Sequence, residues 1–178
     1  MPIKLKLDLP IYILLFLVSY FVSFSYFIEP RALETSMITY DYVYYQDLTA
    51  FNKIQKNNSW SLIFQFVGLL LKLDFSIIEI SRITLFISTL FFTFGIFLIA
   101  KSITSSVILS LLIAILTVTL KKKFGHLEYP TQMFTEHING QLGLAFLTLI
   151  FGLYSCRKYF LTFFLSATLL SVHLVLGA

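Results

Sequence analysis

The chain has 178 residues, 58% of them apolar and only 12% charged, about half the roughly 25% charged fraction usual in soluble domains. Aromatics reach 17%, with twenty Phe and ten Tyr against one Trp, which excludes a disordered chain. The net charge of +4 is scattered in small groups, so no basic face is available for nucleic acid. One Cys forms no intramolecular disulfide, and no Cys/His set has zinc spacing, so no metal or cofactor is expected. What remains is an integral membrane protein.

Uncharged runs of about 20 residues mark transmembrane helices. The first covers 9–28, preceded by Lys4, Lys6 and Asp8 and ended by Glu29-Pro30. It is too long for a signal-peptide core and lacks a small-residue cleavage site, so an uncleaved first span is expected. Next comes the mixed-charge segment 29–82. Within it, Tyr40, Tyr42, Tyr44 and Tyr45 suit the membrane interface. The uncharged stretch 57–71 is too short to span, so the whole segment is expected to fold back along the surface in short helices. Runs 83–100 and 102–120 follow, separated only by Lys101, and then runs 138–156 and 159–178, separated by Arg157-Lys158. The expected fold is all-α: a single domain over 1–178, a transmembrane bundle of about five spans with a long surface loop.

Parity then places 29–82 and 121–137 on one side of the membrane, with the N-terminus, Lys101 and Arg157-Lys158 on the other. Eight basic residues fall on the loop side and five on the opposite side, so charge alone leaves the orientation open.

Polar residues converge near the loop side. Runs four and five form an antiparallel hairpin about the Arg157-Lys158 turn. Gln141 and His173 each lie about 24 Å from that turn at 1.5 Å per residue. His137, Gln141, Ala145, Thr148 and Gly152 share one helix side, as do Thr162, Ser166, His173 and Gly177. Stripes of small and polar residues mark the sides packed on other helices, and an ionisable residue within the membrane is a functional-site expectation. Asp41, Glu136, His137 and His173 are the candidate catalytic groups. Lys121, Lys122, Lys123, Asn139 and Gln141 are the candidate substrate-binding groups. Chemistry on a lipid-linked phosphate needs a base and cations for the leaving group. The plainer alternatives are a solvated turn for Asp41, a helix-to-helix hydrogen bond for His173 and a lipid-headgroup anchor for the Lys triplet.

Two stretches carry a resemblance. One runs from Asp41-Tyr42-Val43-Tyr44-Tyr45 through Trp60–Leu71 to Ala100-Lys101-Ser102. The other runs from Glu136-His137-Ile138-Asn139-Gly140-Gln141 through Arg157-Lys158 to Ser171-Val172-His173-Leu174. Together they resemble the N-terminal half of bacterial exopolysaccharide and O-antigen polymerases, and the wider GT-C group of multi-span glycosyltransferases. The resemblance implies glycosyl transfer from a polyprenyl-phosphate-linked sugar in cell-surface polysaccharide assembly. It also implies a bacterial inner-membrane location, a cytoplasmic N-terminus and catalysis on the external face. Members of that group are longer, so the chain is expected to be a part of such an enzyme. Its partners would then be the bilayer and the lipid-linked sugar. A small non-enzymatic transport or scaffold subunit is the alternative expectation.

Overall fold

The computed structural model describes residues 9–24, 61–120, 123–124, 131–132 and 138–172. Six helices account for nearly all of these. They are α1 (Leu9–Phe24), α2 (Leu62–Lys72), α3 (Ile77–Thr104), α4 (Val107–Thr119), α5 (Ile138–Ser155) and α6 (Tyr159–Val172). A two-residue antiparallel bridge between β1 (Lys123–Phe124) and β2 (Thr131–Gln132) lies in the α4–α5 connection, pairing Lys123 with Gln132 and Phe124 with Thr131. The protein is all-helical in class. Among the described residues α3 alone is long and apolar enough to cross a membrane by itself.

The α3 helix is the hub. Its 28 residues extend about 42 Å, and its limits differ from the uncharged run 83–100. It begins inside the segment 29–82 because Ser76 and Glu79 form a capping box. The Ser76 hydroxyl accepts from the Glu79 backbone N–H, while the Glu79 carboxylate accepts from the Ser76 N–H at 2.8 Å. It also passes through Lys101 rather than stopping there. The helix ends three residues later at Thr104, and the capping Ser105 adopts a left-handed conformation (φ 56°) with its N–H donating to the Lys101 carbonyl. A single charge at a helix end does not break the hydrogen-bond ladder when its alkyl stem can pack on apolar neighbours.

Side-chain contacts give the helix directions. Along α1 and α3, Tyr12 stacks on Phe94, Phe16 and Tyr20 meet Phe86, and Phe24 lies 5.3 Å from the Arg82 guanidinium. The numbering rises on one helix as it falls on the other, so the pair is antiparallel. Along α3 and α5, Phe91 meets Phe146 and Leu98 meets Cys156, so this pair is parallel. A tight turn reverses the chain from α3 into α4, where the Thr104 and Ser110 hydroxyls lie 3.1 Å apart. Another reverses it from α5 into α6. There the Lys158 N–H donates to the Leu153 carbonyl and Arg157 N–H to that of Tyr154, with Arg157 at φ 59°. That is a Schellman cap with Arg in the position glycine usually takes. The same cap, with Asp74 at φ 60°, joins α2 to α3. One end of the bundle therefore carries the α3–α4 and α5–α6 turns and the start of α1; we call it the turn end. The opposite, loop end carries the α2–α3 turn.

The core has two apolar clusters. Leu15, Phe97, Leu98, Ala114 and Cys156 fill the turn end. A larger set from α2 to α6, including Val67, Leu85, Val118, Leu142 and Leu169, fills the loop end. Between them α3 and α5 cross at Gly95 and Gly152. A Cβ on Gly95 would sit 2.5 Å from the Thr148 carbonyl carbon, and one on Gly152 would sit 2.8 Å from the Gly95 oxygen. Ala145 and Thr148 are buried on the same side of α5 as Gly152, the side whose small residues marked it as helix-facing. On α6 the buried positions are Leu169 and Val172, with Thr162 and Ser166 half-buried beside them.

Candidate functional site

The loop-end cluster borders a partly open cavity of about 250 Å³ lined from α2, α3, α5 and α6. It exists because α2, an 11-residue helix, covers only part of the length of α3. The apolar side of α2, with Ile63, Val67, Leu70 and Leu71 buried, returns along α3 from the Asp74 turn. Ser61 at its head donates a hydrogen bond to the Ser171 carbonyl of α6 at 3.2 Å. Ile63 and Phe66, Ile87 and Phe91, Leu142 and Phe146, and Val172 line the space between. Phe91 and Phe146 meet edge to face at 4.9 Å.

The lining presents only apolar surface. Thr84 contributes to the wall, yet its hydroxyl donates to the Ile80 carbonyl at 2.8 Å and is turned into its own helix. Apolar cavities stay dry, and one of about 150 Å³ already holds a benzene ring. This site can therefore take a ring-sized or branched hydrocarbon fragment, and among the described residues no group in its wall can move a proton or hold an anion.

Asp41, Glu136, His137, His173, Lys121 and Lys122 lie outside the described residues. Lys123 in β1 and Asn139 and Gln141 in the first turn of α5 have backbone positions, while their side chains are also outside what is described. The structure thus neither gathers nor separates the expected set. It does speak to the depth argument. Leu142 and Val172, the chain neighbours of Gln141 and His173, line the same cavity, so the two helices of the hairpin stand in the register that counting turns required. Among the described residues no group of three His, Cys, Asp or Glu side chains could hold a metal.

One feature of α3 was not singled out in the sequence. Thr84, Ser88, Thr89 and Thr93 are buried within a run notable only for lacking charge, and Ser81 is buried just before it. Thr84, Ser88, Thr89 and Thr93 each donate to the carbonyl four residues back, at 2.7–3.0 Å. Each donor is thereby satisfied inside its own helix, so these hydroxyls act as small packing groups and not as a polar pathway. Ser81, Ser88 and Gly95 recur at every seventh position, a spacing that was available as a signal of the packed side.

Charge is distributed unequally between the two ends. At the loop end, before the uncharged run begins at Ile83, the Ser76 hydroxyl and backbone N–H hold the Glu79 carboxyl below its ordinary range, with Arg82 adding to the effect. At the turn end Lys101 is 7% exposed, its ammonium 5.9 Å from the Phe97 ring centre. Cys156, whose thiol donates to the Leu98 carbonyl at 3.6 Å, lies within electrostatic reach of both Lys101 and Lys158. The chain matches no protein-family model, no curated protein and no solved structure.

Proposed function

We propose that the chain is a five-span inner-membrane protein that takes part in glycosyl transfer from a polyprenyl-phosphate-linked sugar. In this reading α1, α3, α4, α5 and α6 lie in the five spans, and α2 rests at the interface. The observation that carries the membrane part is the alternation of helix direction. With α1, α4 and α6 running one way and α3 and α5 the other, each helix reverses the one before it, as consecutive crossings require. The outer surface agrees with it: Ile103, Ile108, Phe160 and Phe163 are each more than 70% exposed, a surface that suits lipid and not water. Cysteines placed at Asn57 and Lys72 should both react with an impermeant thiol reagent from one side of the membrane. Labelling from opposite sides would sink this topology.

The apolar cavity supports the lipid-linked substrate, since it offers hydrocarbon a place beside the end of the hairpin that leads to Gln141 and His173. Asp41 is assigned the role of base or acceptor-orienting carboxylate, with Glu136, His137 and His173 behind it. Lys121, Lys122, Lys123, Asn139 and Gln141 are assigned to the phosphate and sugar. Membranes from cells with and without this protein would be given a radiolabelled polyprenyl-diphosphate saccharide. Transfer should be lost without the protein and with Asp41→Asn. Undiminished transfer in its absence would refute the assignment. The apolar wall that the described residues form favours one second reading, a non-enzymatic transport or scaffold subunit. On that reading Asp41→Asn would leave transfer intact while removal of the chain abolishes it.

A further inference from the structure

Charged residues sort by end. Among the described residues the two carboxylates, Asp74 and Glu79, both stand at the loop end, together with Lys72 and Arg82. The turn end carries Lys101, Arg157 and Lys158 and no described carboxylate. Lys101 is the informative one. It sits in the last turn of α3 with its stem buried, yet no buried side-chain nitrogen or oxygen in the described residues lacks a partner. Its ammonium lies 5.9 Å from the Phe97 ring centre, at the same end of the bundle as the Arg157-Lys158 turn. Arg157 and Lys158 are exposed at the tip of the neighbouring turn.

Aromatic residues mark the same level. Tyr154 and Tyr159 pack edge to face at 5.9 Å and are each more than half exposed. Amphipathic rings belong at the headgroup level of a bilayer. Cations held there with no carboxylate among the described residues complement phosphodiesters. We propose that the turn end is an anchoring surface for anionic phospholipid headgroups, contacted by Lys101, Arg157 and Lys158 within a tyrosine belt. This rests on the membrane reading above but not on glycosyl transfer. It would place the turn end in the more anionic cytoplasmic leaflet, which resolves the orientation that basic-residue counts leave open.

The test uses the full chain in phosphatidylcholine vesicles doped with spin-labelled phosphatidylglycerol or phosphatidylcholine. The motionally restricted fraction of each label yields a relative association constant. Phosphatidylglycerol should be preferred at low salt, and Arg157→Gln and Lys158→Gln should each lower that preference by up to about fivefold. Salt at about 1 M should suppress it, since screening then acts within about 3 Å. Lys72→Gln, at the other end, should retain it. An unchanged preference in the Arg157→Gln/Lys158→Gln double variant overturns the proposal. So does a preference that appears only after Asp8→Asn, because the chain would then supply its own counter-ion. Displacement of the label by added inorganic phosphate overturns it as well, in favour of a soluble anion. Failure to co-float with pure phosphatidylcholine vesicles would defeat the membrane reading itself, whereas flotation without headgroup preference defeats this proposal alone.

Discussion

The α3–α5 crossing and the α2–α6 side of the same bundle are built from equally apolar helices, yet they pack differently. At the crossing, Gly95 and Gly152 bring two backbones so close that neither position has room for a methyl group. A few turns away, Ile87, Phe91, Leu142 and Phe146 leave a cavity of about 250 Å³. The difference lies in side-chain size and partner length. Small residues let backbones touch along a face, which is how helices associate when lipid removes the hydrophobic drive. Bulky residues facing a partner of only 11 residues cannot close the gap. Rigidity therefore belongs to the crossing, and the capacity to admit a ligand belongs to the α2 side.

The sharpest way to break this contrast is Gly95→Leu. The added side chain meets the Thr148 and Leu149 backbone, which has no flexible end to move aside. The bundle should lose about 3 kcal/mol, read as a lowered thermal midpoint in detergent. An unchanged midpoint would mean that the crossing is not tight.

A smaller effect separates Leu98→Phe from Leu142→Phe. Leu98 is buried beside Gly152, and enlarging it should cost about 1–3 kcal/mol. Leu142 faces the cavity, so the same enlargement should fall within about 1 kcal/mol of the parent or stabilise it. Equal losses in the two variants would erase the distinction between dense and open sides.

The smallest expected effect is at the start of α3. Ser76→Ala removes the cap and should cost about 1 kcal/mol, seen as faster amide hydrogen exchange over 77–80. The Glu79 carboxyl in that cap is held below its ordinary pKa by Ser76. A depressed folded-state pKa contributes stability that is complete above the ordinary carboxylate range and is lost as pH falls through the lowered value. Acid should therefore lower the protection factors at the helix start in the parent, each taken against the intrinsic exchange rate at the same pH, with a much weaker response in Ser76→Ala. A response of the same size in both would disconnect Glu79 from the cap.

Helix existence was legible because it is a property of local composition. Uncharged runs of apolar residues, interrupted at Arg157-Lys158 and near Lys101, mark α1, α3, α4, α5 and α6, and the short run 57–71 covers α2 except its last residue, Lys72. The packed side of α5 was legible too, since Ala145, Thr148 and Gly152 share a stripe. Helix limits were less so: a capping box and a left-handed Ser105 act through backbone geometry and not through hydropathy, so α3 extends beyond its uncharged run at both ends. Of the expected site, Asp41, Glu136, His137 and His173 lie outside the described residues, and only the register of their neighbours Leu142 and Val172 is visible.

By itself, then, the sequence determined the all-helical class, the order of the helices and the hairpin register, because each follows from the spacing of residues along one chain. Tertiary structure alone decided that Gly95 meets Gly152, that a short α2 leaves a cavity on α3, and that Lys101 lies with its stem buried beside the Phe97 ring. Those facts depend on which faces of distant segments approach and how closely. That distance is set by the summed sizes of side chains on both partners, a quantity that periodicity within one helix does not contain.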